Sequence, residues 1–238
     1  PAATSLVSRY FAGYWNIIPN GIDYEHWARP RERLPEFDDG KFNILFVGRP
    51  EKRKGLKYLL RAYLRLRQKR QDMRLIVIGA GDFSRYQRLM EPFPDVVFRQ
   101  NLPYDELPRY HHTSHLFVCP NTGNESQGYV LMEALAAGLP VVASNIEGFA
   151  GVVAHELEAL LVRPKDDVAI EEAILRLMRD SALRRRLAEN GQAHAVAFSW
   201  DVVAHKVMSY YERLLYERQQ MAESATRRRA ARGHTVSP

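Results

Sequence analysis

The chain contains one cysteine, Cys119, so neither a disulfide nor a cysteine-built metal site can form within it. Its place in the apolar run HLFVC reads as a small core residue, and the scarcity of thiols suits a reducing cytoplasm. No apolar run approaches the length of a bilayer span, and the N-terminus has no signal-peptide pattern. No Asp-x-Asp pair is present to chelate a metal diphosphate, and no internal repeat recurs. His111, His112 and His115 have no carboxylate at ligand spacing, and His155-Glu156 lacks the second histidine of a zinc-protease helix. No metal site is therefore assigned. The GAGDFS stretch half-matches a dinucleotide fingerprint, but Ser84 stands where the third glycine belongs.

What is present is ordinary in bulk. At 238 residues and 46% hydrophobic content, the chain fits one large globular domain or two small ones. The net charge is +6, with Lys and Arg gathered at 52–54, 57–70 and 227–232. The plain account is solvated faces and a basic tail. The sharper account is attraction to an anionic surface, either membrane lipid or nucleic acid. Nucleic acid is the weaker partner, because no strand face interleaves aromatic and basic residues.

Continuous apolar runs over 43–48, 73–79, 96–99, 115–120, 141–144 and 159–162 read as buried strands. Helices are expected over 56–68, 82–91, 104–113, 166–180, 181–197 and 200–217. Alternation at this spacing predicts an α/β fold with an open, parallel, Rossmann-like sheet covered by helices on both faces. Residues 24–40 are Pro-rich and charged, and read as irregular. Trp27 belongs in a core, though which one is not apparent. Residues 218–238 have no apolar periodicity and read as a disordered basic tail.

The most informative stretch is NTGNESQGYVLMEALAAGLPVVAS at 121–144. Val130, Leu131, Ala134, Leu135 and Gly138 fall at helical spacing, and Gly138 and Pro140 end the helix. The helix begins near 126–128, between flanking glycines, and its first N–H groups form a ready anion site. Glu125 and Glu133 lie beside it. Carboxylates repel phosphate but accept hydrogen bonds from hydroxyls, so the pair suits a phosphorylated sugar. Each glutamate alone reads equally well as a solvated helix charge. Arg49 and Lys54, alone, read as a solvated basic loop. They directly follow the first strand, however, and the motif helix directly follows the fourth. If the chain reverses after the third strand, two cations and a helix N-terminus converge at the carboxyl edge of the sheet. A leaving diphosphate needs that arrangement.

This combination resembles the sugar-nucleotide motif of the retaining glycosyltransferase family 4 (glycosyltransferase group 1), whose fold is GT-B. Its wording is similar to the phosphatidylinositol mannosyltransferase branch. GRPEKRKG at 48–55 resembles the family's phosphate loop, and WNIIPNGID at 15–23 its interdomain segment. The resemblance covers roughly residues 15–217. It implies hexosyl transfer, with mannose among the candidates, from a GDP-, UDP- or ADP-linked sugar, without an obligatory metal. It implies that Arg49 and Lys54 hold the diphosphate beside Gly48. Glu125 would meet the sugar hydroxyls and Glu133 the ribose. The backbone of Gln127, Gly128, Tyr129 and Val130, next to Ser126, would cover sugar and phosphates, and Leu102 would meet the base. Glu125, Arg49 and Lys54 would act at the reacting centre. The chain departs from the family at Gln127, where Phe is common, and at Gln100, where Gly is common. The side chains that read guanine have no clear match over 103–107.

The expected organisation follows. Residues 1–40 would be an interdomain segment and the remnant of a missing N-terminal acceptor domain. Residues 41–199 would be the donor-binding domain, 200–217 a crossover helix and 218–238 the tail. By itself the fragment is expected to bind donor without turnover, in the cytoplasm or at the membrane periphery. The rival readings are a non-catalytic nucleotide-binding module and a basic nucleic-acid-binding protein.

Overall fold

The computed structural model describes residues 7–11, 13 and 15–233. Residues 1–6, which belong to the expected domain remnant, lie outside the described residues, as do 234–238 at the end of the expected tail. A short helix α1 (Tyr24–Ala28) precedes the sheet. The sheet then forms from β1 (Phe42–Val47), β2 (Met73–Gly79), β3 (Val96–Gln100), β4 (Leu116–Cys119), β5 (Val141–Ser144) and β6 (Ala159–Val162). The intervening helices are α2 (Leu56–Lys69), α3 (Ser84–Met90), α4 (Leu107–Thr113), α5 (Tyr129–Ala136) and α6 (Glu147–Ala150). They are followed by α7 (Asp167–Arg179), α8 (Ser181–Ala195) and α9 (Trp200–Gly233).

The six strands are ordered β3-β2-β1-β4-β5-β6. All their pairings are parallel. Ile44 and Leu45 of β1 stand opposite Leu116 and Phe117 of β4, so the chain does reverse after its third strand. The pleat splits each apolar run between two cores. Ile44, Phe46, Leu75, Val77, Leu116 and Val118 face the core built with α2, α7 and α8. Leu45, Ile76, Ile78, Phe117 and Cys119 face the core that contains Trp27, Tyr110 and the buried face of α5. Burial on both faces explains why these strands are continuous apolar runs rather than alternating ones. Burial also pushes the Cys119 thiol far above its ordinary range, leaving it an inert core residue.

Two regions differ from the sequence expectation. Residues 24–40 are not wholly irregular. Asp23 caps α1 by accepting from the His26 N–H at 3.1 Å, and Trp27 is fully buried. Its indole N–H donates to the Tyr104 hydroxyl at 3.2 Å, and its ring meets the His111 ring edge-on at 4.9 Å. The second correction concerns 218–238: α9 is one helix of 34 residues that runs to Gly233. Apolar periodicity is absent there, but Ala, Arg, Glu and Gln are strong helix formers, and no Gly or Pro interrupts them before Gly233. Arg213 and Glu217 pair one turn apart, as do Glu223 and Arg227. Val203 anchors the first turns of α9, while Met208, Tyr211 and Leu215 are exposed. No described helix is long and apolar enough to cross a membrane.

Candidate functional site

The β1–β4 crevice is where the strand order turns back on itself, which is where open α/β sheets bind ligands. Loops leave both strands at that edge. The loop after β1 contains a 3-10 turn, Lys52–Lys54, and ends at Gly55 in the left-handed region, φ 73°. A Cβ there would lie 1.8 Å from the Pro120 carbonyl oxygen, so only glycine lets this loop lie against the segment after β4. The Arg53 carbonyl then accepts from the Thr122 N–H at 2.8 Å, tying the two loops together.

This closure places Lys54 Nζ 2.5 Å from Glu125 Oε1. Arg53 also donates to Glu125 Oε1, and Asn121 Nδ2 donates to the same oxygen at 2.9 Å. Oε2 has no donor among the described residues. The Glu125 side chain is only 11% exposed, so the cations offset a real desolvation cost. Arg49 behaves differently. It pairs with Glu51 at 2.9 Å, its side chain is 62% exposed, and it does not reach Glu125. Glu51 also holds Arg53 Nε at 2.7 Å, so Arg49 joins the cluster through Glu51. Arg49 and Gly48 instead line a cavity of about 240 Å³ with Val47, Ile78, Leu102 and Leu107. Leu102 lines that cavity, and its peptide N–H and C=O make no hydrogen bond among the described residues.

The motif helix α5 starts later than expected, at Tyr129, after Gly128 with φ 76°. No side chain caps it. The N–H groups of Tyr129 and Val130 therefore point out of the helix without partners among the described residues, where an anion can take them. Glu133 lies further along the same helix. Burial pushes its carboxyl up to about 7, and it has no hydrogen-bond or ion-pair partner among the described residues. Ser126 and Gln127 face another cavity, of about 230 Å³, shared with Ile17, Ile18 and Phe198. The Gln127 amide pairs with the Asn20 peptide in both directions: Asn20 N donates to Oε1 at 2.8 Å, and Nε2 donates to Asn20 O at 3.1 Å. A Phe could not make this clamp, which gives the Gln127 departure a structural role.

The expected residues are thus brought to one edge, with Lys54, Glu125 and the start of α5 in the middle and Arg49 on the rim. Arg53, Glu51 and Asn121 are additions that sequence reasoning missed. Arg53 sits in a basic triplet, and nothing in that triplet marks which cation turns inward. The three histidines serve separate structural partners. His111 Nδ1 contacts Leu107 O at 2.9 Å, His112 Nε2 contacts Trp27 O at 2.9 Å, and His115 Nδ1 accepts from Asn43 N at 3.0 Å. Much of the basic run 57–70 is also engaged: Arg65 pairs with Asp167, Arg67 with Asp95, and Lys69 with Glu171.

Comparison with known proteins bears on this arrangement. Residues 31–194 match the family described as Glycosyl transferases group 1. A phosphatidyl-myo-inositol mannosyltransferase of Mycobacterium leprae is 31% identical over 197 residues, covering 82% of this chain and 52% of that protein. A D-inositol 3-phosphate glycosyltransferase of Salinispora tropica is 32% identical over 213 residues, covering 84% and 43%. Among solved structures, the sucrose-phosphate synthase of Thermosynechococcus elongatus superposes with a TM-score of 0.77 at 26% identity, covering 90% of this chain and 57% of that one. The Anabaena HepE protein, solved with UDP and glucose, superposes with a TM-score of 0.71 at 21% identity, covering 83% and 56%. The chain spans about half the length of the curated relatives it matches. Its parallel sheet, its reversal at β1 and β4 and its matched residues agree: this chain belongs to the group 1 glycosyl transferases.

Proposed function

We propose that this chain forms the donor-binding half of a retaining glycosyltransferase that moves a hexose from a nucleoside diphosphate to an acceptor. The observation that carries this reading is the meeting of Lys54 and Glu125 beneath the uncapped start of α5. Lys54, the N–H groups of Tyr129 and Val130, and Arg49 once released from Glu51 would balance the diphosphate as its charge grows. These cationic groups are the protein's own, and the reading requires no metal. Glu125 would accept from the sugar hydroxyls through Oε2. It is not assigned as a nucleophile. Glu133, buried and without a partner among the described residues, would accept from the ribose. The cavity at Gly48 and Leu102 would take the base, whose edge would meet the Leu102 peptide. The backbone at Ser126, Gln127 and Gly128 would lie over the sugar.

The mannosyltransferase relatives favour mannose, HepE was solved with UDP and glucose, and GDP, UDP and ADP conjugates are all candidates. The acceptor would be held by a second domain, in keeping with the unmatched half of the relatives. Positioning donor and acceptor together can lower a barrier by roughly 7 to 11 kcal/mol, so this half alone would bind without useful turnover. A cytoplasmic site is proposed, at the periphery of an anionic membrane if Lys57, Arg61 and the arginines of α9 engage lipid.

Calorimetric titration with GDP, UDP and ADP, beside an oligonucleotide at two salt concentrations, tests this reading. A nucleoside diphosphate at a hundred times its dissociation constant should stabilise the fold by about 2.7 kcal/mol. Salt-sensitive binding of the oligonucleotide with no response to any nucleotide would replace it with the nucleic-acid reading.

A further inference from the structure

We propose that Arg53 is a positioning residue that keeps Glu125 aimed once the donor has drawn Lys54 away. The inference rests on the donor-site reading above. Lys54, Arg53 and Asn121 all donate to Oε1 of Glu125. Lys54 has one ammonium group, and a bound diphosphate competes for it with the greater charge. When Lys54 turns to the phosphate, Glu125 loses a cation at the moment an anion arrives beside it. A carboxylate only 11% exposed that has lost one cation and faces an anion swings away, and the acceptor that the sugar hydroxyls need goes with it.

Arg53 is built to prevent this. Its Nε is held by Glu51 at 2.7 Å while its NH1 holds Glu125, so its guanidinium spans two carboxylates. Its backbone carbonyl is fixed by the Thr122 N–H at 2.8 Å, so the base of the side chain moves with the loop after β4. A guanidinium can serve both carboxylates at fixed geometry, which an ammonium does less well. Lys54 thus becomes the exchangeable cation and Arg53 the resident one. Asn121 adds a neutral donor, and Oε2 remains open to the ligand.

The test measures affinity for three pairs by calorimetry: UDP and UDP-glucose, GDP and GDP-mannose, ADP and ADP-glucose. Arg53→Met keeps the stem and removes the charge, and the Arg53 carbonyl still anchors the loop. For the pair that binds, Arg53→Met should leave the nucleoside diphosphate within about twofold and weaken the nucleotide sugar by about tenfold to a hundredfold. Arg53→Lys should recover part of that loss, since it restores one cation but not the double span. Matching melting curves exclude a folding defect, and Arg53→Lys keeps the comparison usable if Arg53→Met proves unstable. Equal weakening of both members of the pair would mean that Arg53 meets the diphosphate itself and would overturn the inference. No weakening of either would overturn it too. A wild-type chain that binds none of the six ligands would overturn the donor-site reading and this inference together.

Discussion

Glu125 and Glu133 mark two regions of one site, and their electrostatics are opposite. Glu125 lies among donors: two cations and an amide meet on a single oxygen. Glu133, on the helix that follows, is buried without any such partner among the described residues, and its carboxyl is held up to about 7. The protein pairs one carboxylate with its own side chains and leaves the other buried without a partner among the described residues. The difference follows from where their neighbours come from. Glu125 faces the loop after β1, brought in across the crevice by Gly55. Glu133 lies on α5, where burial alone sets the level of its carboxyl.

The largest expected effect breaks the Glu125 side alone. Gly55→Ala puts a Cβ against the Pro120 carbonyl at a left-handed φ, and should cost about 2 to 5 kcal/mol. Chemical denaturation would measure it, and a cost below about 1 kcal/mol would show that the loop can withdraw without penalty.

Next comes the Glu133 side, read through pH. Its neutral form is favoured in the fold, so between its ordinary value of 4.5 and about 7 the folded state binds more protons than the unfolded state. Stability contributed here therefore falls as pH rises through that window, by about 3 kcal/mol in full. Melting curves from pH 4 to 8 should show Glu133→Gln gaining on wild type as pH rises. Parallel curves for wild type and Glu133→Gln would mean that the carboxylate finds a partner in solution.

Ligand binding sharpens the same contrast. Glu133→Gln should weaken a nucleoside diphosphate and its sugar conjugate alike, because the ribose belongs to both. Glu125→Gln should weaken the conjugate alone, by about tenfold to over a hundredfold. Equal losses from Glu125→Gln would merge the two regions into one.

The smallest effect lies at the edge of the Glu125 region. Gln127→Ala removes two exposed hydrogen bonds to Asn20, worth about 1 kcal/mol together. Hydrogen exchange at the Asn20 amide should quicken by several-fold, and an unchanged rate would mean that the clamp does not restrain this segment.

Much of this site was legible in the residues. Strands β2, β5 and β6 have the bounds their largely apolar runs predict, because both faces of each are buried. Lys54 and Glu125 were both singled out from local context, one by its place after a strand and the other by flanking glycines. Arg49 was singled out equally, yet it turned outward to Glu51. Trp27 announced burial but not its partners, since His111 and Tyr104 lie far from it along the chain. The helix beyond residue 217 was missed because helix propensity alone carries it, without an apolar face to show a period.

What the sequence by itself determined is the set of elements and the chemistry at their ends: apolar runs that must be buried, glycines that permit tight loops, and carboxylates and cations at strand exits. Those follow from local sterics and from the cost of exposing apolar surface, which each segment carries within itself. What only the tertiary structure decided is which cation meets which carboxylate. That choice depends on bringing residues 53–54 to residue 125 across the β1–β4 crevice, and ångström-scale differences there decide whether a charge is paired, shared or left to a ligand.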